Sequence, residues 1–299
     1  MKIINPYKGG DTWLKGNLHT HTKESVCGYF TPEEIAAVYT YKHKVMAYDF
    51  IAITDHLKIS SISAIENIDG FLVFNGTEYK KDKYQTLGIN IKSYDDEDES
   101  KSHQEIFNLV NAQGGLNIIC HPHIYNDDYW PLEKLLDLDG YAAIEIFNYN
   151  VKKNNAGRAI ATDVWDQLLS KGRRVWGIAS DDLHFSYSYG GGFIKVLANK
   201  NKEAIINAIK AGAFYSSSGI LLENIELKDN TITLSAATPR VPNTVFKFIG
   251  QEGKLLKKEL VQEAQAAVSY TVKGNEGYVR VEASREDGAQ AWTQPFWIE

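Results

Sequence analysis

The sequence predicts an α/β architecture over residues 1–219, with an element count that fits a barrel, followed by a small antiparallel β domain over residues 220–299. Two observations lead to this prediction. Apolar runs that suit buried strands alternate with helical patterns as far as Gly219, which is typical of α/β folds. Beyond Ile220 the sequence changes to short alternating segments joined by turn residues, which indicates hairpins packed as a sandwich.

The predicted strands of the first part are short, continuous apolar runs. Such runs suit strands that are buried on both faces, as in parallel sheets. They lie at residues 49–54, 71–75, 116–120, 142–147, 175–179 and 193–197.

The predicted helices carry start and stop signals. A capping box at residues 31–34, with proline at the first helical position, predicts a helix that runs toward Met46. The same box at residues 102–105 opens a second helix, which Gly114 ends. Two further helices are predicted at residues 155–171 and 201–210.

The C-terminal segment has the pattern of paired strands. Residues 225–228 and 231–234 alternate around Asp229-Asn230, which predicts a hairpin. This segment contains no histidine, so we expect no metal ligand from it. Its other predicted strands lie at residues 245–249, 255–261, 268–272, 278–283 and 291–298.

Composition and charge narrow the function classes. A net charge of −6, with basic residues scattered along the chain, argues against nucleic-acid binding. No apolar stretch reaches the roughly 18 residues that a membrane span needs. The first ten residues lack an apolar leader, so we expect a cytoplasmic protein, or an exported one whose signal peptide has been removed. The two cysteines indicate no disulfide framework.

The most informative feature is a set of short histidine and carboxylate segments that close or follow the apolar runs. Six of the eight histidines fall in them. The segments are His19-Thr20-His21, Asp55-His56, Glu78, His121-Pro122-His123 and Asp182-Leu183-His184. Imidazoles and carboxylates that come from the ends of several strands are what a hydrolytic site with several metal ions requires.

The spacing within these segments indicates which side chains act together. In a strand, residues two apart point to one face, so His19 and His21 can bind one ion. Asp182 and His184 repeat that spacing.

The middle segments suggest different roles for neighbouring residues. Asp55 and His56 are adjacent and would point apart, so we expect His56 to be a ligand and Asp55 to orient it. Glu78 follows a turn-like Asn75-Gly76-Thr77, from which its carboxylate can bridge two cations about 3.5–4 Å apart.

In this order the motifs resemble the PHP (polymerase and histidinol phosphatase) superfamily of metal-dependent phosphoesterases. The motifs are H-x-H at His19, T-D-H at Thr54, G-x-E at Gly76, H-P at His121 and S-D-x-H ending at His184, and the resemblance spans about residues 14–219. It implies a distorted (β/α)7 TIM-like barrel with two or three Zn, Mn or Fe ions at the C-terminal ends of the strands. The surrounding sequence also resembles a branch associated with hydrolysis of carbaryl, a carbamate ester.

The resemblance implies a ligand set for each ion. The sets are His19, His21, Glu78 and Asp182 for the first ion, Glu78 and His121 for the second, and His56 and His184 for the third. It also implies Asp55, His56 and His184 as catalytic residues, with a metal-bound hydroxide as the nucleophile.

Two departures from the family pattern concern the second and third ions. Many relatives continue H-x-H-T-x-x-S with Asp, or with His one place on, as a ligand of the third ion. Here Ser25 is followed by Val26, which cannot ligate, and by Cys27, which could. Many relatives also have His where this chain has Gln85, and His103 is one candidate to replace it. The ion count of two or three therefore stays open.

Three residues are candidates for substrate binding. His123 lies beside His121 and has either a substrate contact or a surface role. Asn148 follows an apolar run at the end of a barrel strand where active sites form. Arg158 is the cation that we nominate for a substrate phosphate or carboxylate.

The sequence thus predicts a metal-dependent hydrolase, a phosphoesterase that acts on a small-molecule phosphoester. One alternative is a carbamate or ester hydrolase that uses the same metal site. The other is a catalytically weakened metal-binding scaffold whose β domain binds a partner or a carbohydrate. The departures at Val26 and Gln85 favour the weakened scaffold.

Overall fold

The computed structural model of the chain describes residues 1–41, 47–94, 101–126, 128–237, 243–262 and 267–299. The first ten strands in these ranges are β1 (Ile3–Ile4), β2 (Trp13–Asn17), β3 (Phe50–Ile53), β4 (Leu72–Lys81), β5 (Tyr84–Ile89), β6 (Leu116–Ile119), β7 (Ala143–Asn148), β8 (Trp176–Ser180), β9 (Phe193–Leu197) and β10 (Phe214–Ser217). The remaining strands are β11 (Leu221–Lys228), β12 (Thr231–Ala237), β13 (Thr244–Ile249), β14 (Leu255–Val261), β15 (Ala267–Thr271), β16 (Tyr278–Arg285), β17 (Gln290–Thr293) and β18 (Phe296–Ile298).

The α-helices of the described ranges are short. They are α1 (Pro32–Thr40), α2 (His103–Ala112), α3 (Leu132–Asp137), α4 (Tyr149–Asn154), α5 (Thr162–Ser170) and α6 (Lys202–Ala211). None of them is long and apolar enough to cross a membrane.

The (β/α)7 TIM-like barrel predicted from the sequence is wrong. Fifteen strands of the described ranges form one curled mixed sheet, in the order β1-β18-β16-β17-β10-β9-β2-β3-β4-β5-β6-β7-β8, with β13 on β16 and β14 on β13. A TIM barrel consists of parallel strands that are each followed by a helix. Here the described parallel pairs are limited to β2–β3, β3–β4, β6–β7 and β7–β8.

A central hairpin accounts for much of this difference. β4 continues to Lys81, the chain turns at Asp82 with φ 54°, and β5 returns antiparallel before pairing antiparallel with β6. β5 is absent from the predicted elements because Thr86 and Gly88 interrupt its apolar residues, so no continuous apolar run marks it. Glu78, which was predicted to follow a turn, therefore lies inside β4 opposite Leu87.

Most of the predicted strands and helix starts are present in the structure. Each of the six predicted apolar runs overlaps a strand, and these strands are β3, β4, β6, β7, β8 and β9. Both capping boxes form, at Thr31 and at Ser102. α1 ends at Thr40, and the predicted continuation over residues 42–46 lies outside the described residues. The helix predicted from residue 155 begins only at Thr162.

The C-terminal strands form two layers around a shared core. The predicted hairpin is confirmed, with Asp229 and Asn230 both at positive φ between β11 and β12. β11, β12 and β15 form a separate three-stranded sheet. Its buried side chains pack against those of β13 and β16. β17 pairs with β10, so the large sheet is continuous across residue 219, and the domain boundary there stays a prediction.

A buried ionic cluster joins the C-terminal strands to α5. The carboxylate of Asp166 accepts hydrogen bonds from Arg280 Nε at 2.8 Å, from Arg280 NH2 at 2.6 Å and from the Tyr278 hydroxyl at 2.7 Å. The Arg280 guanidinium also donates to Glu282 at 2.8 Å and lies 5.0 Å from the ring centre of Trp165. Every charge in this cluster has a partner of the opposite sign.

Candidate metal centre

Backbone pairing brings the predicted segments together. The segment after β2 pairs in parallel with the segment after β8, through hydrogen bonds from His21 N–H to Leu183 O at 2.9 Å and from Leu183 N–H to His19 O at 3.2 Å. A second isolated bridge joins His56 to Glu78. The segments that follow β2, β3 and β8 therefore face the middle of β4.

Four side chains, which we call the N/O centre, converge there: His19, His21, Glu78 and Asp182. The Nε2 atoms of His19 and His21 lie 3.1 Å apart. Their distances to Glu78 Oε2 are 3.4 and 3.3 Å, and their distances to Asp182 Oδ1 are 3.3 and 3.5 Å. A tetrahedral ion with bonds of about 2.0–2.1 Å separates its ligand atoms by about 3.3–3.4 Å, so the two imidazoles are spaced to share an ion with each carboxylate. The ligand atoms of His19, His21 and Asp182 form one compact group.

The N/O centre is buried, and one of its carboxylate oxygens lacks a hydrogen-bond donor. The side chains of His19 and His21 have no exposure, that of Glu78 is 1% exposed, and that of Asp182 is 4% exposed. Asp182 Oδ1 has no hydrogen-bond partner among the described residues, although imidazole nitrogens of His19, His21 and His184 lie 3.3, 3.5 and 3.3 Å from it. A buried carboxylate oxygen without a donor is costly unless a cation binds it.

The pKa shifts of the N/O centre show how strongly its imidazoles and carboxylates interact. Burial alone would lower the pKa of His19, but the carboxylates of Asp182, Glu145 and Glu78 outweigh it and hold that pKa well above its usual value. Burial alone would raise the pKa of Glu78 and of Asp182, yet the neighbouring imidazoles hold both well below their usual values. The carboxylates thus favour a positive charge among them, and the imidazoles favour the charged carboxylates.

Glu145 supports the N/O centre from behind, and sequence reasoning missed it. Its Oε1 lies 2.8 Å from His19 Nδ1, which directs His19 Nε2 toward the centre. It also accepts hydrogen bonds from the His121 amide at 2.8 Å and from Ser180 Oγ at 2.5 Å. The sequence did contain one signal, a single acidic residue inside the apolar run of β7. Acidic residues are rarely buried unless they are paired.

The structure brings His121 to the other oxygen of Glu78. Glu78 Oε1 lies 3.2 Å from His121 Nε2, while Glu78 Oε2 faces the N/O centre and lies 3.0 Å from His56 Nδ1. The buried Nδ1 of His121 has no hydrogen-bond partner among the described residues. Glu78 therefore presents its two oxygens to two different groups of imidazoles, as a bridging carboxylate does.

A second cluster, which we call the S/N cluster, consists of Cys27, His56 and His184. One ligand atom from each, together with one from His21, lies within 4.8 Å of the others. His184 Nδ1 is 2.9 Å from the backbone oxygen of Asp182, which leaves Nε2 facing the cluster. Burial alone would raise the pKa of Cys27, but hydrogen bonds to His184 and His56 lower it to about 6.

The structure places Asp55 away from these ligand atoms. Its carboxylate accepts hydrogen bonds from the Thr22 amide and hydroxyl, both at 2.7 Å, from Ser25 Oγ at 2.7 Å, and from Ser60 Oγ. Burial alone would raise its pKa, and these hydroxyl groups lower it. Asp55, predicted to be catalytic, thus holds the loop that follows His21.

Asn148, one of the predicted substrate-binding residues, supports the N/O centre. It donates to Asp182 Oδ2 at 3.1 Å and to Glu145 Oε2 at 3.0 Å. Its side-chain oxygen caps α4 by accepting from Val151 N–H at 2.9 Å. Asn148 is buried, so the structure gives it the geometry of an orienting residue.

His123 and Arg158 lie against each other outside the ligand groups. Arg158 forms an ion pair with Asp163 at 2.8 Å, and its NH2 group is 2.7 Å from His123 Nε2. His123 is also 3.1 Å from Asp163. Burial alone would raise the pKa of Asp163, but these two partners hold it well below its usual value. Both predicted substrate contacts are therefore engaged with protein groups.

The structure keeps His103 apart from the ligand groups. The His103 ring lies 5.4 Å from the ring of Trp130 and 6.2 Å from those of Tyr84 and Phe107. Gln85 is half-buried, and its side-chain oxygen accepts a hydrogen bond from Tyr129 at 3.3 Å. The departure at Gln85 is thus not compensated by His103.

Comparisons with known proteins add little to this geometry. No family model and no curated protein matches the chain. Among solved structures, the chain is similar to a DUF3244 family protein with an immunoglobulin-like β-sandwich fold from Bacteroides vulgatus. The identity is 11%, the match covers 27% of this chain and 100% of that chain, and the TM-score is 0.22. At this TM-score the likeness supports no statement about function.

Proposed function

We propose that this protein is a hydrolase that depends on divalent metal ions, and that its substrates are small-molecule phosphoesters. The observation that carries the proposal is the N/O centre, in which the Nε2 atoms of His19 and His21 lie at ligand spacing from each other and from one oxygen of each carboxylate. The unpartnered Oδ1 of Asp182 supports it. The resemblance of the motif order to PHP phosphoesterases supports the same chemistry and does not depend on a barrel.

The donor set indicates which ions fit. Two imidazoles and two carboxylates suit Zn, Mn or Fe. Ions bound there would polarise an ester oxygen and lower the pKa of a water molecule. The protein's own contribution is orientation. Glu145 fixes the ring of His19, Asn148 fixes the carboxylate of Asp182, and Glu78 reaches both groups of imidazoles.

A cavity beside His121 supports an anionic substrate. It has a volume of about 340 Å³. Its lining includes Lys80, Lys83, Tyr125 and Tyr129, and the Tyr129 ring lies 5.9 Å from the His121 ring. The lining carries two ammonium groups and one carboxylate, that of Asp82, and this excess of positive charge favours substrates with a phosphate group over neutral ones.

The test combines metal content with hydrolysis. We expect the purified protein, loaded with Mn or Zn, to hydrolyse at least one class in a panel of phosphate monoesters and diesters. His19→Ala and Asp182→Asn should each lose bound metal and turnover together. His103→Gln is the matched control, since it removes a buried histidine outside the centre. Full turnover in the His19 variant, or no turnover in the metal-loaded wild type, contradicts the proposal.

One observation favours a second candidate, a carbamate or carboxylic ester hydrolase. Apolar side chains are exposed beside the S/N cluster, including Val26 at 107%, Tyr29 at 68%, Leu57 at 44% and Tyr187 at 47%. An exposed apolar patch of this kind suits an uncharged organic group. Paired aryl phosphate and aryl carbamate substrates with one common leaving group separate the two candidates by their relative kcat/KM.

A further inference from the structure

We infer that Cys27, His56 and His184 together bind a cation separate from that of the N/O centre, with the Cys27 sulfur as a thiolate ligand. This assigns Cys27 a role at the position where Val26 cannot ligate. The inference rests on the proposed metal site, but not on any substrate.

The first support is the geometry of the S/N cluster. The ligand atoms of its three residues and of His21 lie within 4.8 Å of one another. The His21 ring centre is 4.3 Å from that of His184 and 4.5 Å from that of His56, so the imidazoles surround one small volume. A thiolate with two imidazoles is a donor set for Zn, which soft sulfur favours over Mn.

The second support is the loop that delivers the thiol. Residues 22–30 are closed by hydrogen bonds from Ser25 N–H to Thr22 O at 3.0 Å, from Gly28 N–H to Ser25 O at 3.0 Å, and from Lys23 N–H to Phe30 O. A Cβ on Gly28 would lie 1.9 Å from Thr22 O, so only glycine fits directly after Cys27. The loop is therefore built to hold Cys27 in one place, which a ligand requires.

The third support is exposure. The side chains of His56 and His184 are 31% and 12% exposed, and Cys27 is half-buried, whereas the N/O centre is almost closed. Three protein ligands with an accessible side match an ion that keeps an open coordination position for a substrate. The S/N cluster thus forms the solvent side of the whole site.

The chain offers a matched control for the thiol. Cys120 is the other cysteine of the sequence, and it is fully buried. The Cys120 sulfur lies within 4.8 Å of ligand atoms of His19 and Glu78, and likewise of His121 and Glu145. Carboxylates beside a sulfur oppose a thiolate, so we expect Cys120 to remain a neutral thiol.

The experiment uses cobalt as the probe. The metal-free protein is loaded with Co(II), its near-ultraviolet spectrum is examined for thiolate-to-Co(II) charge transfer, and bound cobalt is counted by elemental analysis. We expect the band in wild type and in Cys120→Ser. Cys27→Ser should lose the band and bind one ion fewer per chain. Cys27→Asp should restore the ion without the band, because a carboxylate can ligate.

The outcomes separate this inference from the proposed function. A band that persists in Cys27→Ser, or that disappears only in Cys120→Ser, overturns the inference. If Cys27→Ser fails to fold, as circular dichroism would show, Cys27→Asp and Cys27→Ala carry the test. Cobalt binding as expected with no hydrolysis of any ester would remove the proposed function and leave the thiolate site standing. Hydrolysis with no charge-transfer band would do the reverse.

Discussion

Asp182 and Asp166 are both buried carboxylates, yet their surroundings differ. Both oxygens of Asp166 accept hydrogen bonds from Arg280, and the Tyr278 hydroxyl adds another. Oδ1 of Asp182 faces imidazole nitrogens at 3.3 and 3.5 Å and has no hydrogen-bond partner in the described ranges. Burial alone therefore does not distinguish a binding site from a structural ion cluster. The distinguishing feature is whether protein groups donate a hydrogen bond to every oxygen of the carboxylate.

The difference assigns separate tasks to the two clusters. In the Asp166–Arg280 cluster every charge has a protein partner, and the cluster fixes the C-terminal strands against α5. In the N/O centre the carboxylates of Glu78 and Asp182 both face the imidazoles of His19 and His21, and the proposal is that a bound cation completes the set. Substitutions in the first cluster should change stability, and substitutions in the second should change metal binding.

The largest effect is expected from Asp182→Asn. The variant should lose more metal affinity than the roughly 10–100-fold that removal of an outer partner costs, since it removes a direct ligand. In the metal-free protein it should also lose stability at neutral pH, because the neighbouring imidazoles favour the charged form of Asp182 in the fold. Elemental analysis and urea unfolding of the metal-free protein check both parts. A variant that binds metal normally and is less stable would make Asp182 a structural residue like Asp166.

The next effect concerns Asp166→Ala. It leaves the guanidinium of Arg280 buried without its main partner, so we expect a loss of about 3–5 kcal/mol in the free energy of unfolding. Metal content should not change. The paired replacement of Asp166 by Leu and Arg280 by Met is the control, since it removes both charges and should recover most of the loss. Reduced metal binding in the single variant would show that the clusters are coupled.

A smaller effect is expected from Glu145→Gln. The amide keeps the shape but removes the charge that fixes the ring of His19 at 2.8 Å. Metal affinity should fall by about 10–100-fold, with the same number of ions at saturation. Competition with a chelator of known affinity measures the change. Unchanged affinity would mean that the ring of His19 is held by packing alone.

The comparison also explains what the sequence could and could not predict. The sequence could place His19 and His21 side by side because residues two apart share one face wherever the chain is extended. The spacing argument does not hold for Asp182, whose φ is 50°. The roles of Cys27 and Glu145 could not be predicted without the fold. Only the structure shows that the Cys27 thiol lies beside histidines and that the Glu145 carboxylate lies beside His19.

The fold shows the same limit. Apolar runs predicted six strands, but whether neighbouring strands are parallel depends on partners far away in the chain. The turn at Asp82 and the interrupted pattern of β5 made a hairpin where the sequence pattern predicted a crossover through a helix.

The smallest effect tests a buried histidine that has no ligand role. His103 Nε2 has no hydrogen-bond partner in the described ranges, and burial lowers the pKa of His103 from 6.5 to about 4. Because its pKa is lower in the folded state, the unfolded chain binds more protons between these values, and stability is lost as the pH falls from 6.5 toward 4.

His103→Phe should remove this dependence. At about pH 5.5 the wild type should have lost about 1 kcal/mol more than the variant, relative to neutral pH. Urea unfolding of metal-free proteins at the two pH values measures it. Equal losses in the two proteins would show that His103 is already charged in the fold, as an imidazole with a hidden partner would be.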